Sequence, residues 1–448
     1  MDLREPPDDP ILAARTSPIR HSKSPSNDTQ GDLPVQSSPN WDNQTIWTGD
    51  NLDIMRGMNS DSVDLIYLDP PFNSNANYAA PIGSQAAGAA FKDTWGLDDI
   101  NLAWHGEIKH DYPGMYALLS ATRQIHGDSM MSYLIYMAIR LMEMKRLLKP
   151  TGSIYLHCDS TASHYLKLLM DAVFGEKNFL NHIVWSYRRW PTKAKFFQRM
   201  HDDVLCYAKS SGNHVFNVSY EGPAPSTQKV WKGQKQTLLP GATKKITTGE
   251  KSKGLPQRDV FEISIVSGRA KERTGYPTQK PIALLRRIIS ASSNPQDTIL
   301  DPFCGCATAC IAAQIENRHW VGIDISSKAA DLVQDRMYRE VGLFYKGAHR
   351  KDIPDRTDLG KITPYNDAKN KRYLYGEQGG FCNGCEHHFL PQNLTVDHII
   401  AKANGGTDHI SNLQLLCGSC NSIKGTKSHE ELLVLLTDKG WIKRKKAA

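Results

Sequence analysis

Val63-Asp64-Leu65-Ile66-Tyr67-Leu68-Asp69-Pro70-Pro71-Phe72 is the stretch that decides the fold. An apolar run of strand length is stopped by Asp-Pro-Pro. Each proline fixes its own φ and restricts the residue before it, so the chain leaves the strand along a stiff path. Outward from it, an α/β pattern runs from Trp41. Met130 to Leu148 has helical length and periodicity and stops at Lys149-Pro150. A strand at Ser153–His157, a helix from Thr161 to Phe174 and strands at Ile183–Trp185 and Val204–Tyr207 follow. After a looser stretch at 186–276, the alternation resumes. It gives a helix Ile282–Ser290, a strand Thr298–Leu300, a helix Ala307–Glu316, a strand Trp320–Ile323 and a helix Ser327–Arg339. Strands alternating with helices predict an α/β fold: a doubly wound, mostly parallel sheet with helices on both faces.

Ligands of such sheets bind outside the carboxyl ends of the strands. Asp69-Pro70-Pro71-Phe72 therefore places a carboxylate, a stiff turn and an aromatic ring at the binding edge. An exocyclic amino group on a nucleobase is a poor nucleophile, because its lone pair is delocalised into the ring. A carboxylate and a backbone carbonyl that accept its two N–H bonds draw it toward a nucleophilic geometry, and an aromatic ring can stack on the base. The base must leave the duplex to reach such a pocket. The bland alternative is a strand-ending turn with a surface Asp. A second strand end, Thr298-Ile299-Leu300-Asp301-Pro302-Phe303-Cys304-Gly305, argues against it. Gly305 lets the backbone approach a ligand. Asp324 ends the next strand about 20 residues on, the spacing at which a Rossmann-like unit grips ribose hydroxyls. The glycine set that a dinucleotide pyrophosphate requires is absent, since Cys306 and Ala307 follow Gly305. A nicotinamide cofactor is disfavoured, whereas S-adenosylmethionine carries no phosphate.

In this order the motifs resemble the beta group of DNA amino-methyltransferases, over about residues 41–345. Thr48-Gly49-Asp50, Leu148 to Asp159 and Tyr276-Pro277-Thr278-Gln279-Lys280-Pro281 are similar to family segments as well. The resemblance implies S-adenosyl-L-methionine as cofactor and double-stranded DNA as partner. It implies that Asp69 and the Pro70 carbonyl hold the target amino group, in a turn stiffened by Pro71, and that Phe72 stacks on the base. Asp301, Phe303 and Gly305 would line the cofactor pocket. Asp324 would bind the ribose, Asp50 would sit near the adenine, and Lys280 would approach the cofactor carboxylate. An Asp-led motif points to adenine N6 as the target, with cytosine N4 second. The segment 186–276 occupies the place of the family's target-recognition region. There Arg188, Arg189, Lys193, Lys195 and Arg199 could contact phosphates, and the interleaved aromatics could help open the duplex.

The remaining chain has a different composition. Residues 346–375 read as a basic linker, and 376–448 as a Cys/His-rich domain. Cys382-x-x-Cys385 and Cys417-x-x-Cys420 supply four thiolates in two knuckles, the donor set of a closed structural zinc site. Between them Asp397-His398 lies on a strand, followed by the turn signal Asn404-Gly405-Gly406 and by Asn412; Asn421 follows the second knuckle. This order resembles the HNH endonuclease family and implies a ββα-metal domain. Asp397 and Asn421 would hold a divalent ion such as Mg²⁺, His398 would activate water, and Asn412 would brace the His398 loop. The alternatives are a zinc-stapled DNA clamp without nuclease activity, and methylation of RNA or protein in place of DNA. His387 and His388 read as surface or packing residues. The chain has 448 residues and a formal net charge of +7, compatible with nucleic acid without singling it out. Residues 1–40, rich in Ser, Pro, Asp and Asn, read as a disordered tail. With no apolar signal core and no run long enough to span a bilayer, the expectation is a cytoplasmic protein with no membrane association. The sequence names no protein partner.

Overall fold

The strand Val63–Leu68 is buried at every residue, as expected of a strand covered on both faces. The structure is a computed structural model. It describes residues 38–71, 76–79, 90–93, 112–193, 195–223, 225–241, 243–342, 345, 347–358, 363–404, 406 and 408–442. Phe72 and residues 1–37 of the expected tail lie outside the described residues.

The strands in chain order are β1 (Thr45–Thr48), β2 (Val63–Leu68), β3 (Ala76–Ala79), β4 (Ala90–Asp93), β5 (Leu148–Cys158), β6 (Phe179–Ser186) and β7 (His201–Ala208). Then come the short strands β8 (Tyr220–Glu221), β9 (Gln234–Thr237), β10 (Ile246–Lys251) and β11 (Leu255–Pro256). They are followed by β12 (Val260–Glu262), β13 (Thr298–Asp301), β14 (His319–Asp324) and β15 (Ala348–Arg350). The main sheet has the order β12-β6-β7-β5-β2-β13-β14-β1-β15. It is parallel throughout except for β7, which runs antiparallel to β5 and β6. Three antiparallel pairs, β3–β4, β9–β10 and β8–β11, stand apart from it.

Side chains alternate across this sheet into two cores. Ile66, Leu68, Ile154 and Leu156 pack with the helices Pro113–His126, Asp128–Leu147 and Ser163–Phe174. Leu65, Tyr67, Tyr155 and Ile299 pack on the other face with the helices Ile282–Ser292, Thr308–Ile315 and Ser327–Val341. The sheet is therefore doubly wound. From β2 the chain continues outward to β5; from β13 it continues to β14 on the opposite side. The neighbours β2 and β13 thus flank the point where the winding reverses, which is where open α/β sheets hold ligands.

The segment 346–375 contains secondary structure that its composition did not announce. β15 extends the sheet beside β1, with Thr45 opposite Ala348. Beyond it, Asn40 Nδ2 donates to the Asp355 carbonyl at 2.7 Å, Thr357 N donates to Asn59 Oδ1 at 2.8 Å, and Ser60 N donates to Asp358 Oδ2 at 2.7 Å. Gly57 lies so close that a Cβ there would fall 2.0 Å from the Pro354 carbonyl oxygen. Backbone pairing and polar clasps of this kind leave no apolar periodicity to read. The helix Ala368–Glu377 then meets the first helix, Asn51–Gly57: Arg56 pairs with Glu377 at 2.6 Å and lies over the Tyr373 ring.

The C-terminal unit is a ββα arrangement. β16 (Leu394–His398) and β17 (Leu413–Cys417) are antiparallel, with Asp397 opposite Gln414, and the helix Gly418–Lys424 follows. Its own small core gathers Leu374, Leu394, Leu413, Leu415, Leu416, Leu432 and Leu436 around the four cysteines. Among the described residues no helix is long and apolar enough to cross a membrane.

Candidate active site and candidate metal centre

In the sheet order β2-β13-β14-β1, the first three strands deliver Asp69, Asp301 and Asp324 to one edge, and Asp50 follows the fourth after Gly49. These four carboxylates line one cavity of about 380 Å³. Pro70, Pro71, Tyr136, Tyr276, Phe303 and Gly305 line it too, and Lys280 supplies the one basic side chain of the lining among the described residues. Four acidic side chains against one lysine suit a ligand that brings positive charge better than a polyphosphate.

Among the described residues, Asp69 is held on one side only. Lys280 Nζ donates to its Oδ2 at 2.5 Å, with the ammonium almost buried. Its Oδ1 is buried and has no hydrogen-bond partner among the described residues. A buried acceptor left open is costly unless a ligand satisfies it, and an amino group would do so. Lys280, which the family resemblance put near the cofactor carboxylate, thus lies in the cavity wall bonded to Asp69.

Asp324 accepts from Gly305 N at 2.9 Å and from Ser326 N at 2.8 Å. Burial pushes its carboxyl above the usual range, against the pull of those two bonds. Burial raises Asp301 further. Gly305 has φ +49°, and a Cβ there would sit 2.9 Å from the Tyr276 ring, so the turn requires glycine. Ala307 also adopts a positive φ, 53°, and fills the core with no exposure.

Asp50 caps the helix Asn51–Gly57 through Leu52 N and accepts from Arg140 at 2.7 Å. Arg140 is buried, donates to Asn51 Oδ1, and stacks 3.5 Å from the Tyr136 ring centre. Tyr136 in turn faces Phe303, and burial pushes its hydroxyl up to about 12. Behind the cavity, Tyr67 Oη meets His157 Nδ1 at 2.9 Å. His157 Nε2 meets Asp202 at 3.1 Å, and Tyr187 donates to Asp202 at 2.9 Å.

In the C-terminal unit the sulfurs of Cys382, Cys385, Cys417 and Cys420 lie within 4.8 Å of one another. A tetrahedral zinc with bonds of about 2.3 Å spaces its sulfurs about 3.8 Å apart; Cys385 and Cys417 are 3.9 Å apart. Burial raises the Cys382 thiol, but N–H donors from Cys385, Cys417 and Gly384 outweigh it and hold that thiol below its usual value. The four side chains fit a closed zinc site.

Nearby, His398 is almost buried, with Nε2 2.7 Å from Asp408 Oδ1 and its ring against Tyr365. Asp397 Oδ2 is 3.0 Å from the fully buried Lys424 and accepts from Gln414 at 3.3 Å. Lys424 also donates to the His398 carbonyl at 2.6 Å. Asn412 clasps Ile400 at both backbone groups, and Asn421 Nδ2 donates to Thr395.

The DNA methylase family model, which covers N6 and N4 amino-methylation, matches residues 63–335, more than half of the chain. This chain belongs to the DNA methylase family. The HNH endonuclease model matches residues 382–427, so the C-terminal unit is an HNH domain. The methylase is 26% identical over 290 residues to the type II methyltransferase M.HpaI of Haemophilus parainfluenzae, covering 65% of this chain and 73% of that one. It is 28% identical over 289 residues to the DNA adenine methyltransferase YhdJ of Escherichia coli K12, covering 64% and 79%. A solved M1.HpyAVI–SAM complex aligns at TM-score 0.37 with 18% identity, covering 65% of this chain and 98% of that one.

Tyr136 and Arg140 of the methylase, one helical turn apart on Asp128–Leu147, were not singled out from sequence. The available signal was an arginine inside a run otherwise rich in Met, Leu and Ile. The Tyr67–His157–Asp202–Tyr187 chain was missed too, because its members come from separate strands and the loop after β6. Asp408 and Lys424 of the HNH domain lay among ordinary loop and helix residues.

Proposed function

We propose that the protein transfers a methyl group from S-adenosylmethionine to the N6 amino group of adenine in double-stranded DNA. The observation that carries this is the buried Oδ1 of Asp69 at the winding reversal, without a hydrogen-bond partner among the described residues, with Lys280 fixing the other oxygen. The bound cofactor supplies an electrophilic methyl group on a sulfonium. Asp69 Oδ1 accepts one amino N–H, and the Pro70 carbonyl accepts the other, which localises the nitrogen lone pair; as nitrogen takes the methyl group and the sulfonium becomes a thioether, the surplus amino proton leaves along the Asp69 hydrogen bond to solvent. Lys280 keeps the Asp69 carboxylate oriented. Asp324 is the acceptor for ribose hydroxyls, Asp301, Phe303 and Gly305 line the cofactor pocket, and Asp50 and Tyr136, braced by Arg140, line the part that takes the cofactor adenine. Adenine is favoured by the Asp-led motif and by the likeness to a relative named as an adenine methyltransferase.

We further infer that the HNH domain cleaves DNA, with zinc held by the four cysteines. His398, oriented by Asp408, is placed to take a proton from water; Asp397 and Asn421 would hold a divalent ion such as Mg²⁺, which would supply charge stabilisation for the leaving oxygen. A methylase and a nuclease on one chain suit restriction–modification. A second reading, an inactive zinc-stapled clamp, is favoured by the Lys424 ammonium beside Asp397. Nucleoside mass spectrometry after reaction with isotopically labelled S-adenosylmethionine tests the first activity. Labelled N6-methyladenine is expected; N4-methylcytosine as sole product overturns the choice of base, and no labelled nucleoside overturns the reading. Plasmid cleavage with Mg²⁺ decides between nuclease and clamp.

A further inference from the structure

The loop between β6 and β7 presents exposed aromatic rings, with the Arg199 guanidinium 5.3 Å from the centre of the Phe196 ring. Ser186 and His201 form the last pair of the two strands, and Tyr187 N donates to the Met200 carbonyl at 3.0 Å, closing the stem. Further out, Thr192 N and Oγ1 both donate to Gln198 Oε1, and Gln198 Nε2 returns a bond to the Thr192 carbonyl at 2.8 Å. The tip is therefore shaped by its own polar clasp, and its rings stand outward: Phe197 is 99% exposed, Trp190 92% and Phe196 64%. Scattered exposed apolar residues are ordinary, but neighbouring exposed aromatics on one loop mark a contact surface. The flanking charges are Arg188, Arg189, Lys193, Lys195 and Arg199, and no Asp or Glu lies between Tyr187 and His201. A polyanion with aromatic faces matches both features.

The loop's position selects DNA over an anionic lipid surface. β6 runs parallel to β5 and β2, so the loop leaves the sheet at the same carboxyl edge as Asp69. Its stem is bonded to the cavity wall through Tyr187, Asp202, His157 and Tyr67.

We propose that Phe197, with Phe196 beside it, is a wedge that enters the base stack of a DNA duplex at the target base. The five cations grip the phosphates on either side. A ring in the stack offsets the stacking lost when a base is drawn into the Asp69 cavity, so the wedge acts on opening the duplex. The inference rests on the base-methylation reading, and two readouts keep the two apart.

The test compares the full-length wild type with F196A/F197A and with F197W. The duplex carries the site found by sequencing DNA from cells expressing the wild type, with the target base either paired or opposite an abasic position. A copy with 2-aminopurine at the target reports unstacking without methyl transfer. Methylation of the paired duplex is expected to fall roughly tenfold or more in F196A/F197A. On the abasic duplex it stays near wild type, and F197W recovers most of the loss. Equal loss on both duplexes, or none on either, overturns the wedge. So does wild-type binding without a rise in 2-aminopurine fluorescence. If the wild type raises that fluorescence and F196A/F197A does not, while Asp69→Ala methylates at the wild-type rate, the wedge stands and the Asp69 reading falls. Sedimentation with phosphatidylglycerol vesicles is the lipid arm: a loss confined to vesicle binding in F196A/F197A overturns the assignment to DNA.

Discussion

Asp69→Asn keeps the shape of the side chain and changes only which atoms can accept. An ammonium is donor-only, so Lys280 takes the one amide oxygen left at position 69. The amide NH2 then occupies the place of Oδ1 and points a donor at the substrate's amino group. The lost hydrogen bond to a charged acceptor is worth about 1.5–3 kcal/mol, or roughly 10- to 150-fold in rate at about 1.4 kcal/mol per decade. The opposed donors add to this, so kcat should fall by about 100-fold or more. Cofactor affinity should stay within about threefold, since the changed atom faces the base. Weakening a nearly buried ion pair, with side-chain exposures of 7% and 19%, should cost the fold a further measurable amount. A loss of about 1–2 kcal/mol, at about 2–4 °C per kcal/mol, lowers the midpoint by about 2–8 °C. Methyl incorporation, calorimetry with S-adenosylmethionine and a thermal melt read the three quantities. A wild-type rate in Asp69→Asn would refute the argument, as would cofactor affinity falling in step with the rate.

Asp324 and Asp301 carry carboxyls raised by burial, so the cofactor-free protein holds protons at a pH where an exposed Asp does not. By linkage, stability from a raised carboxyl is complete below its unfolded value, about 3.9, and is lost as pH rises through the folded value. A cationic cofactor favours the ionised forms; calorimetry in buffers of different ionisation enthalpy should show proton release on binding above about pH 4. Asp324→Asn should reduce that release, and unchanged release would exclude Asp324 as its source. Asp324→Ala should chiefly weaken cofactor binding. His398→Ala should abolish plasmid cleavage with Mg²⁺ and leave methylation near wild type; cleavage by this variant would remove His398 from the chemistry. Cys382→Ala should lose zinc by elemental analysis and expose residues 376–448 to protease, because a structural zinc contributes folding free energy; full zinc retention would refute the four-cysteine site.

Much of the methylase half was legible because strand ends announce themselves. Val63–Leu68 before Asp69-Pro70-Pro71, and Thr298–Leu300 before Asp301-Pro302-Phe303, combine an apolar run with a sharp stop. The chain there has one local solution. Helix limits shifted by a residue or two, as at Asp128–Leu147 and Ser163–Phe174, since end turns depend on caps and neighbours. Residues 346–375 were less legible. β15 is a short edge strand whose pairing with β1 is made by backbone atoms, and backbone atoms are the same for every sequence.

The sequence by itself determined which chemical groups stand at the strand ends and in which order. It set Asp69 after one apolar run, Asp301, Gly305 and Asp324 around two others, and four cysteines in two knuckles. These are local matters, set by φ restriction, apolar period and ligand spacing. Only the tertiary structure decided that Asp69 and Asp301 become neighbours. β13 inserts between β2 and β14, and the sheet reverses its winding there. It alone paired Lys280 with Asp69, 211 residues apart in sequence, and left one carboxylate oxygen without a partner among the described residues. Such pairings follow from how two buried faces close over a shared sheet, and no window along the chain contains that information.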